Sequence, residues 1–437
     1  HHPADAASGS GDPALPTRAS AVHATLVHAL EGEELHLDAE QVGFFSSSNV
    51  PVNQVHALID NAIRSNLQHV LTDCPHREKL GWLEQTHLMG PALVYNRDLR
   101  TFLPKAVRDM REAQQATGMV PGIAPEYHAF RPEWRDLPVW GSAIVMVPWL
   151  AAERYGDIEI ARDSYDAMVR FADYLDRRAT DGIVEYGLGD WYDVDAGVSG
   201  HGRMTPLGFT ATAVHYGNLR ALERLAGLMG RPDEERDFAE RASRTARAFN
   251  ERYYRAETQS YANGSQTSLA MPIALGIAPA EARESLVRQL VADIEARGWH
   301  ATSGEVGFPY VVRALTEAGR SDVLYRLAVQ TDVPSYGAQI ARGATTLSEA
   351  WDADPRASQN HFMLGHLDEW FFAGLGGIRT GAADGEMPAR GVGLHPLAER
   401  VRIEPELVGD IEWVEAEWGS PRGAVRFNPG WNSRLPT

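Results

Sequence analysis

"SAIVMVPWLAAERYG", residues 142 to 156, is apolar on more than one side of a helix, whereas "EERDFAERASRTARAFNERYY", residues 234 to 254, carries one apolar stripe opposite a charged face. The first segment has to be covered all round; the second covers a neighbour on one side only. Together they predict two concentric layers, an inner ring of buried helices and an outer ring of amphipathic ones. Outward from this stretch, segments with apolar residues at helical spacing recur about every 25 residues between positions 52 and 378, each closed by Gly, Pro or a polar cluster. With weaker candidates they number about twelve. No self-similarity at a fixed period accompanies them, so a closed all-α barrel of paired helices is expected rather than a solenoid.

The ends read differently. "HHPADAASGSGDPALPTRAS", residues 1 to 20, resembles a linker or tag, and residues 21 to 45, with the alternating "ELHLD", predict a β segment from a flanking domain. Residues 46 to 380 form the expected barrel. From 381 to 437 the texture becomes short alternating strands broken by Gly and Pro, as in "VRIEPELVGDIEWVEAEWGSPRGAVRF".

Composition removes several function classes. A net charge of −18 repels phosphate backbones, so nucleic acid is not expected as a partner. Lys79 and Lys105 are the only lysines, which leaves no Gly-Lys-Ser/Thr phosphate loop, and no Cys/His spacing suggests zinc. No apolar run approaches the length of a membrane span. The single cysteine, Cys74, forms no internal disulfide and reads as small buried filler beside Pro75 rather than as a nucleophile. No signal peptide is visible at the start, and localisation stays open between cytoplasmic and secreted.

Four loops interrupt the helical pattern with acids beside aromatics: "DCPHREKLGW" (73–82), "GMVPGIAPEYHAFRPEWRDLPVWG" (118–141), "EYGLGDWYDVDAG" (185–197) and "GATTLSEAWDADP" (343–355). Aromatic faces cover the C–H faces of a pyranose while carboxylates accept from its hydroxyls, so the combination points to sugar binding. Trp82, Trp134, Trp140, Trp191 and Trp351 are the stacking candidates. Glycoside hydrolysis needs two carboxyl groups, one protonated and one ionised, and Asp73, Glu78, Asp190, Glu349 and Asp352 are the contenders. Asp190, Asp193 and Asp195 invite a calcium reading but lack the Gly and terminal Glu of an EF-hand loop, so no metal and no cofactor is expected.

"DCPHREKLGW" closely resembles the signature segment of family 78 glycoside hydrolases, the bacterial, inverting α-L-rhamnosidases. "GMVPGIAPEY", "VPWLAAERYGD", "GLGDWYD", "GATTLSEAWD" and "SQNHFMLGHLDEWF" follow in that family's order, over roughly residues 42 to 378. The resemblance implies a six-fold α/α barrel with a rhamnose pocket at one end and flanking β domains. It implies Glu78 as general acid and Glu349 as general base, with Asp73, Trp82, Asp190, Trp191 and His361 binding substrate; Arg77, Trp140 and Trp351 are expected to bind it as well. It further implies that calcium can occur in the pocket or the flanks. The carboxyl groups of Glu78 and Glu349 are then expected about 6.5–9.5 Å apart.

Two positions depart from that family's pattern. Gln85 stands where the motif past Leu-Gly-Trp has an Asp, and Ser142 where an Asp often follows Trp-Gly. Glu84 sits one position early, a rotation of about 100° on a helix, and is expected to point elsewhere. The variant "DCPHREKLGWLEQ" therefore leaves a second chemistry open: a polysaccharide lyase acting on a rhamnose–glucuronate linkage in the same barrel. There Arg77, Arg131 or Arg135 would neutralise the uronate, and Tyr127, Tyr186 or Tyr192 would be the base. A non-catalytic carbohydrate-binding barrel is the third reading.

Overall fold

The computed structural model describes residues 29, 31–33, 35–194, 202–381 and 400–428. The chain divides into two compact units, residues 1–35 and 36–437. In the first, the described residues 29, 31–33 and 35 lie in neither helix nor strand. The linker expected at 1–20 and much of the segment expected at 21–45 lie outside the described residues.

The second unit is mostly helical. Helix Ala143–Tyr155 buries ten of its thirteen residues, and Gly156 ends it in the left-handed region (φ 69°), where a side chain would be strained. The following helix, Glu159–Arg178, buries Ile160, Ala161, Tyr165, Met168, Phe171, Ala172 and Leu175 along one stripe. Helix Pro232–Tyr253 likewise buries only six of its 22 residues. The difference in patterning is the difference in layer.

Buried helices neighbour one another in chain order. Glu84–Leu88 packs on Ala143–Tyr155, that helix on Leu207–Leu228, then come Gln266–Ala274, Phe308–Glu317 and Leu367–Trp370. Leu367–Trp370 packs back against Gly90–Asn96, beside the start. Four buried helices each pack on the helix that follows: Glu159–Arg178, Pro232–Tyr253, Arg283–Ala296 and Ser321–Val329. Because each of these outer helices returns the chain to the same end, the connections entering the buried helices meet there. That end carries the site.

The alternation in "ELHLD" forms no strand over its described residues; Leu37 N–H instead donates to the Leu67 carbonyl at 2.8 Å. The strand falls later, at Gly43–Ser47, where it can pair antiparallel with Val414–Ser420, which in turn pairs with Gly423–Phe427. Ile378–Gly381 pairs with Arg400–Ile403. Strand Val414–Ser420 packs into the core of the helical unit: Trp418 is fully buried, stands edge-on to Tyr95 at 5.7 Å and donates from its indole N–H to the Val94 carbonyl at 3.0 Å. Trp418→Ala is therefore expected to lower unfolding free energy by about 3–5 kcal/mol in urea titrations, a loss that a peripheral strand would not give. Among the described residues no helix is long and apolar enough to cross a membrane.

Candidate active site

A cavity of about 160 Å³ opens at the end of the buried helices, lined by Asp73, Arg77, Glu78, Trp82, Glu84, Trp134, Trp140, Leu188, Trp191, Tyr192, Glu305, Glu349 and His361. Almost all of these stand in the connections that enter buried helices: 73–82 before Glu84–Leu88, 134 and 140 before Ala143–Tyr155, 188–192 before Leu207–Leu228, 305 before Phe308–Glu317, and 349 and 361 before Leu367–Trp370. Residues hundreds of positions apart thus share one wall.

Arg77 joins the acids. One guanidinium nitrogen, Nη2, donates to Glu78 Oε1 at 2.9 Å, to Glu349 Oε1 and Oε2 at 3.1 and 3.2 Å, and to Cys74 Sγ at 3.2 Å. Glu349 also accepts from the Ser358 backbone N–H at 2.8 Å, while its own N–H donates to the Ser358 carbonyl. The other oxygen of Glu78 accepts from Trp82 Nε1 at 2.9 Å. Since one nitrogen reaches both, the nearest oxygens of Glu78 and Glu349 are no more than about 6 Å apart, shorter than the 6.5–9.5 Å expected for carboxyl groups with a water between them. Arg77 occupies that gap.

Burial pushes the Glu78 carboxyl above its ordinary range, and the neighbouring Asp73 charge adds to the shift. Burial also opposes charge on Asp73, but the partnership with His361 overrides it and holds that carboxyl low. His361 Nε2 bonds Asp73 Oδ1, and the same charge raises the imidazole against the effect of burial. Gln85 Nε2 donates to the same Asp73 oxygen at 3.0 Å. The residue that replaces an expected acid therefore braces another. Burial, with Asp73 and Glu349 nearby, drives the Cys74 thiol far up, and its S–H faces Asp73 Oδ2 at 3.3 Å, so Cys74 is inert filler.

Glu84 lines the cavity, contrary to the expectation that it turns away. The helix Glu84–Leu88 is buried at every residue, so both Glu84 and Gln85 face the interior of the ring. Glu305 went unread in the sequence; its signal is a single acid inside the apolar, Gly-rich run "ATSGEVGFPYVV". Leu188 was likewise not singled out.

Asp190 and Trp351 do not line the cavity. Asp190 is fully buried and accepts from the backbone N–H groups of Gly304 at 3.0 Å and Gly307 at 2.7 Å and from the Thr267 hydroxyl. The packing on the Gly307 side is tight: a Cβ there would lie 2.7 Å from Asp190 Oδ2. Its carboxyl latches the loop that carries Glu305. Trp351 donates to the Ser303 carbonyl at 2.8 Å and packs edge-on against Phe308 and Tyr336, supporting the same loop from behind. Asp190→Ala strands two backbone donors and is expected to cost about 2–4 kcal/mol of unfolding free energy in denaturant titrations.

Of the residues weighed for elimination, Tyr127 is exposed and bonded to His69 at 3.0 Å, outside the cavity lining. Tyr186 bonds Asp136, Arg135 bonds Glu126 through both carboxylate oxygens, and Arg131 pairs with Glu133; none lines the cavity. Tyr192 lines it, with burial and then Glu349 driving its hydroxyl well above its ordinary range. Trp134 and Trp191 meet edge-to-face at 5.4 Å and form one aromatic wall.

The described Asp73, Cys74, Glu349 and His361 offer ligand atoms within 4.8 Å of one another, the place where a calcium ion in the pocket would have to sit. The Arg77 guanidinium bonds Cys74 and Glu349 there, and a thiol and an imidazole are poor partners for that hard cation. The residues present do not fit calcium. Of the acid run 190–195, Asp193 accepts from the backbone N–H groups of Arg203 and Met204, and Asp195 lies outside the described residues.

Residues 40–375 match the model of the bacterial alpha-L-rhamnosidase 6 hairpin glycosidase domain. The chain belongs to that family. An alpha-L-rhamnosidase of Streptomyces avermitilis is 29% identical over 419 residues, covering 93% of this chain and 38% of the relative. The solved alpha-L-rhamnosidase from Dictyoglumus thermophilum superposes with a TM-score of 0.82 at 28% identity, over 90% of this chain and 43% of that one. The Streptomyces avermitilis alpha-L-rhamnosidase solved in complex with L-rhamnose gives 0.80 at 28% identity, over 90% and 37%. The chain therefore spans less than half the length of these relatives, and what it shares with them is the six-hairpin glycosidase domain.

Proposed function

We propose that this chain is the catalytic domain of an α-L-rhamnosidase, a six-fold α/α barrel of about twelve helices that releases terminal L-rhamnose with inversion. The observation that carries the reading is the Glu78–Arg77–Glu349 bridge across a cavity walled by Trp82, Trp134, Trp140 and Trp191, in a member of a rhamnosidase domain family.

Glu78, shifted toward its protonated form, gives its proton to the glycosidic oxygen as the bond to the anomeric carbon breaks. Glu349 takes a proton from the water that attacks the opposite face. Its position suits an acceptor, since two separate donors already aim at its oxygens. Sugar entering between the two acids breaks the Arg77 bridge and widens the gap for that water, leaving the guanidinium to hold a ring hydroxyl. Asp73, fixed by His361 and Gln85, accepts from another hydroxyl.

The lyase reading has less support. Five carboxyl groups line the cavity, and the one guanidinium among its described lining residues already serves two of them, a poor setting for a uronate. Incubation with aryl glycosides, rhamnosyl flavonoids and rhamnosyl-glucuronate oligosaccharides tests the assignment. Release of L-rhamnose from the first two, born as the opposite anomer by NMR, is the expected result; unsaturated uronate products or sugar binding with no turnover would overturn it.

A further inference from the structure

We propose that Glu84 and Glu305 form a second carboxyl pair, at the floor of the cavity, that recognises the C3 and C4 hydroxyls of the bound sugar and restricts the enzyme to rhamnose unsubstituted there. The proposal rests on the rhamnosidase reading and extends it.

Both side chains line the cavity and both residues are only 2% exposed. Glu84 Oε2 and Glu305 Oε1 have no hydrogen-bond partner among the described residues. The nearest charged donor to Glu305, His361 Nε2, stands 3.7 Å away and is committed to Asp73. A buried polar atom without a partner is costly, and apolar groups of the same shape are often neutral or stabilising in its place. Two such atoms on residues that line one cavity call for a ligand that completes them.

Depth sets which part of the ligand that is. The Arg77 and Glu78 side chains retain 40% and 30% of their exposure, so the bond to be cleaved meets its acid at the mouth and the departing group lies outside. The opposite ring edge, with C3 and C4, then reaches the floor. The charged groups close enough to act on the pair are Asp73, Glu78, Glu349 and, behind the cavity wall, Asp190, with His361 alongside. Burial and these acids favour the neutral form of both carboxyls, and a neutral carboxyl both donates to and accepts from a hydroxyl. A methyl group or a glycosidic substituent at O3 or O4 would leave them unpaired again.

The test compares an aryl α-L-rhamnoside with its 3-deoxy and 4-deoxy counterparts on the parent protein and on Glu84→Met, Glu305→Met and the corresponding Gln variants. The parent is expected to favour the full sugar by at least about 10²-fold in kcat/KM, since a site built around a hydroxyl rejects the analogue lacking it. Each Met variant should unfold at the same temperature or higher while the preference falls below about tenfold, and Gln should restore part of it. No turnover of any rhamnoside by the parent overturns both the rhamnosidase reading and this one. Turnover by a parent indifferent to the deoxy sugars, or Met variants that keep the parent's preference, overturns the role of the pair alone.

Discussion

Glu349→Gln is expected to lower kcat by about 10³- to 10⁴-fold on every rhamnoside, irrespective of how good the leaving group is. The substitution keeps an oxygen for the Ser358 N–H, 2.8 Å from the carboxylate in the parent, so the loop stays in register. What it removes is the proton acceptor for water. A better leaving group does not repair that deficit because it acts on the other side of the anomeric carbon. Azide, which needs no deprotonation, should restore turnover and give a glycosyl azide of inverted configuration. Rhamnose released by the parent with retained configuration would mean that the carboxylate attacks carbon directly, and the closeness of Glu78 and Glu349 imposed by Arg77 makes that outcome worth measuring.

The layers of the fold are written in side-chain patterning. Residues 143 to 155 are apolar around the whole helix and lie in the ring; 232 to 253 carry one stripe and lie outside it. The site is written less evenly. Glu78, Arg77, Trp82, Glu349 and His361 stand in motifs whose composition and order point to a shared cavity, and all line it. Asp190 and Trp351 stand in motifs of the same kind yet face away, because a loop that presents one side chain to a ligand needs its neighbours to anchor it. The carboxylate of Asp190 satisfies backbone N–H groups, and Trp351 packs beneath. Spacing along a loop carries no period that would separate the two fates. Glu84 was hidden for a different reason: the rotation rule assumes a helix with one inward face, and a helix buried all round has none to spare. Glu305 has no second charged residue in the run "ATSGEVGFPYVV", only the cavity it reaches once the chain has closed.

Glu78→Gln should separate the two acids by leaving-group dependence. On an aryl rhamnoside whose phenol is a poor leaving group, kcat is expected to fall by about 10³-fold, because the oxygen must depart without a proton. With a dinitrophenyl leaving group, which needs none, the loss should shrink to less than about tenfold. The pH profile follows from the sign of the shift. Burial, then Asp73, raise the folded-state value of Glu78, so the active protonated form is present below that raised value and is lost as pH climbs through it. The parent's activity should therefore fall on an alkaline limb lying above the ordinary carboxylate range, and that limb should vanish in Glu78→Gln assayed with the dinitrophenyl substrate. Asp73→Asn probes the same limb from the other side: removing the neighbouring negative charge takes away one of the causes of the shift, so the limb should move to lower pH as kcat/KM drops. A limb that stays in place in both variants would assign it to another group, and a poor leaving group cleaved as well as an activated one by Glu78→Gln would remove Glu78 from proton donation altogether.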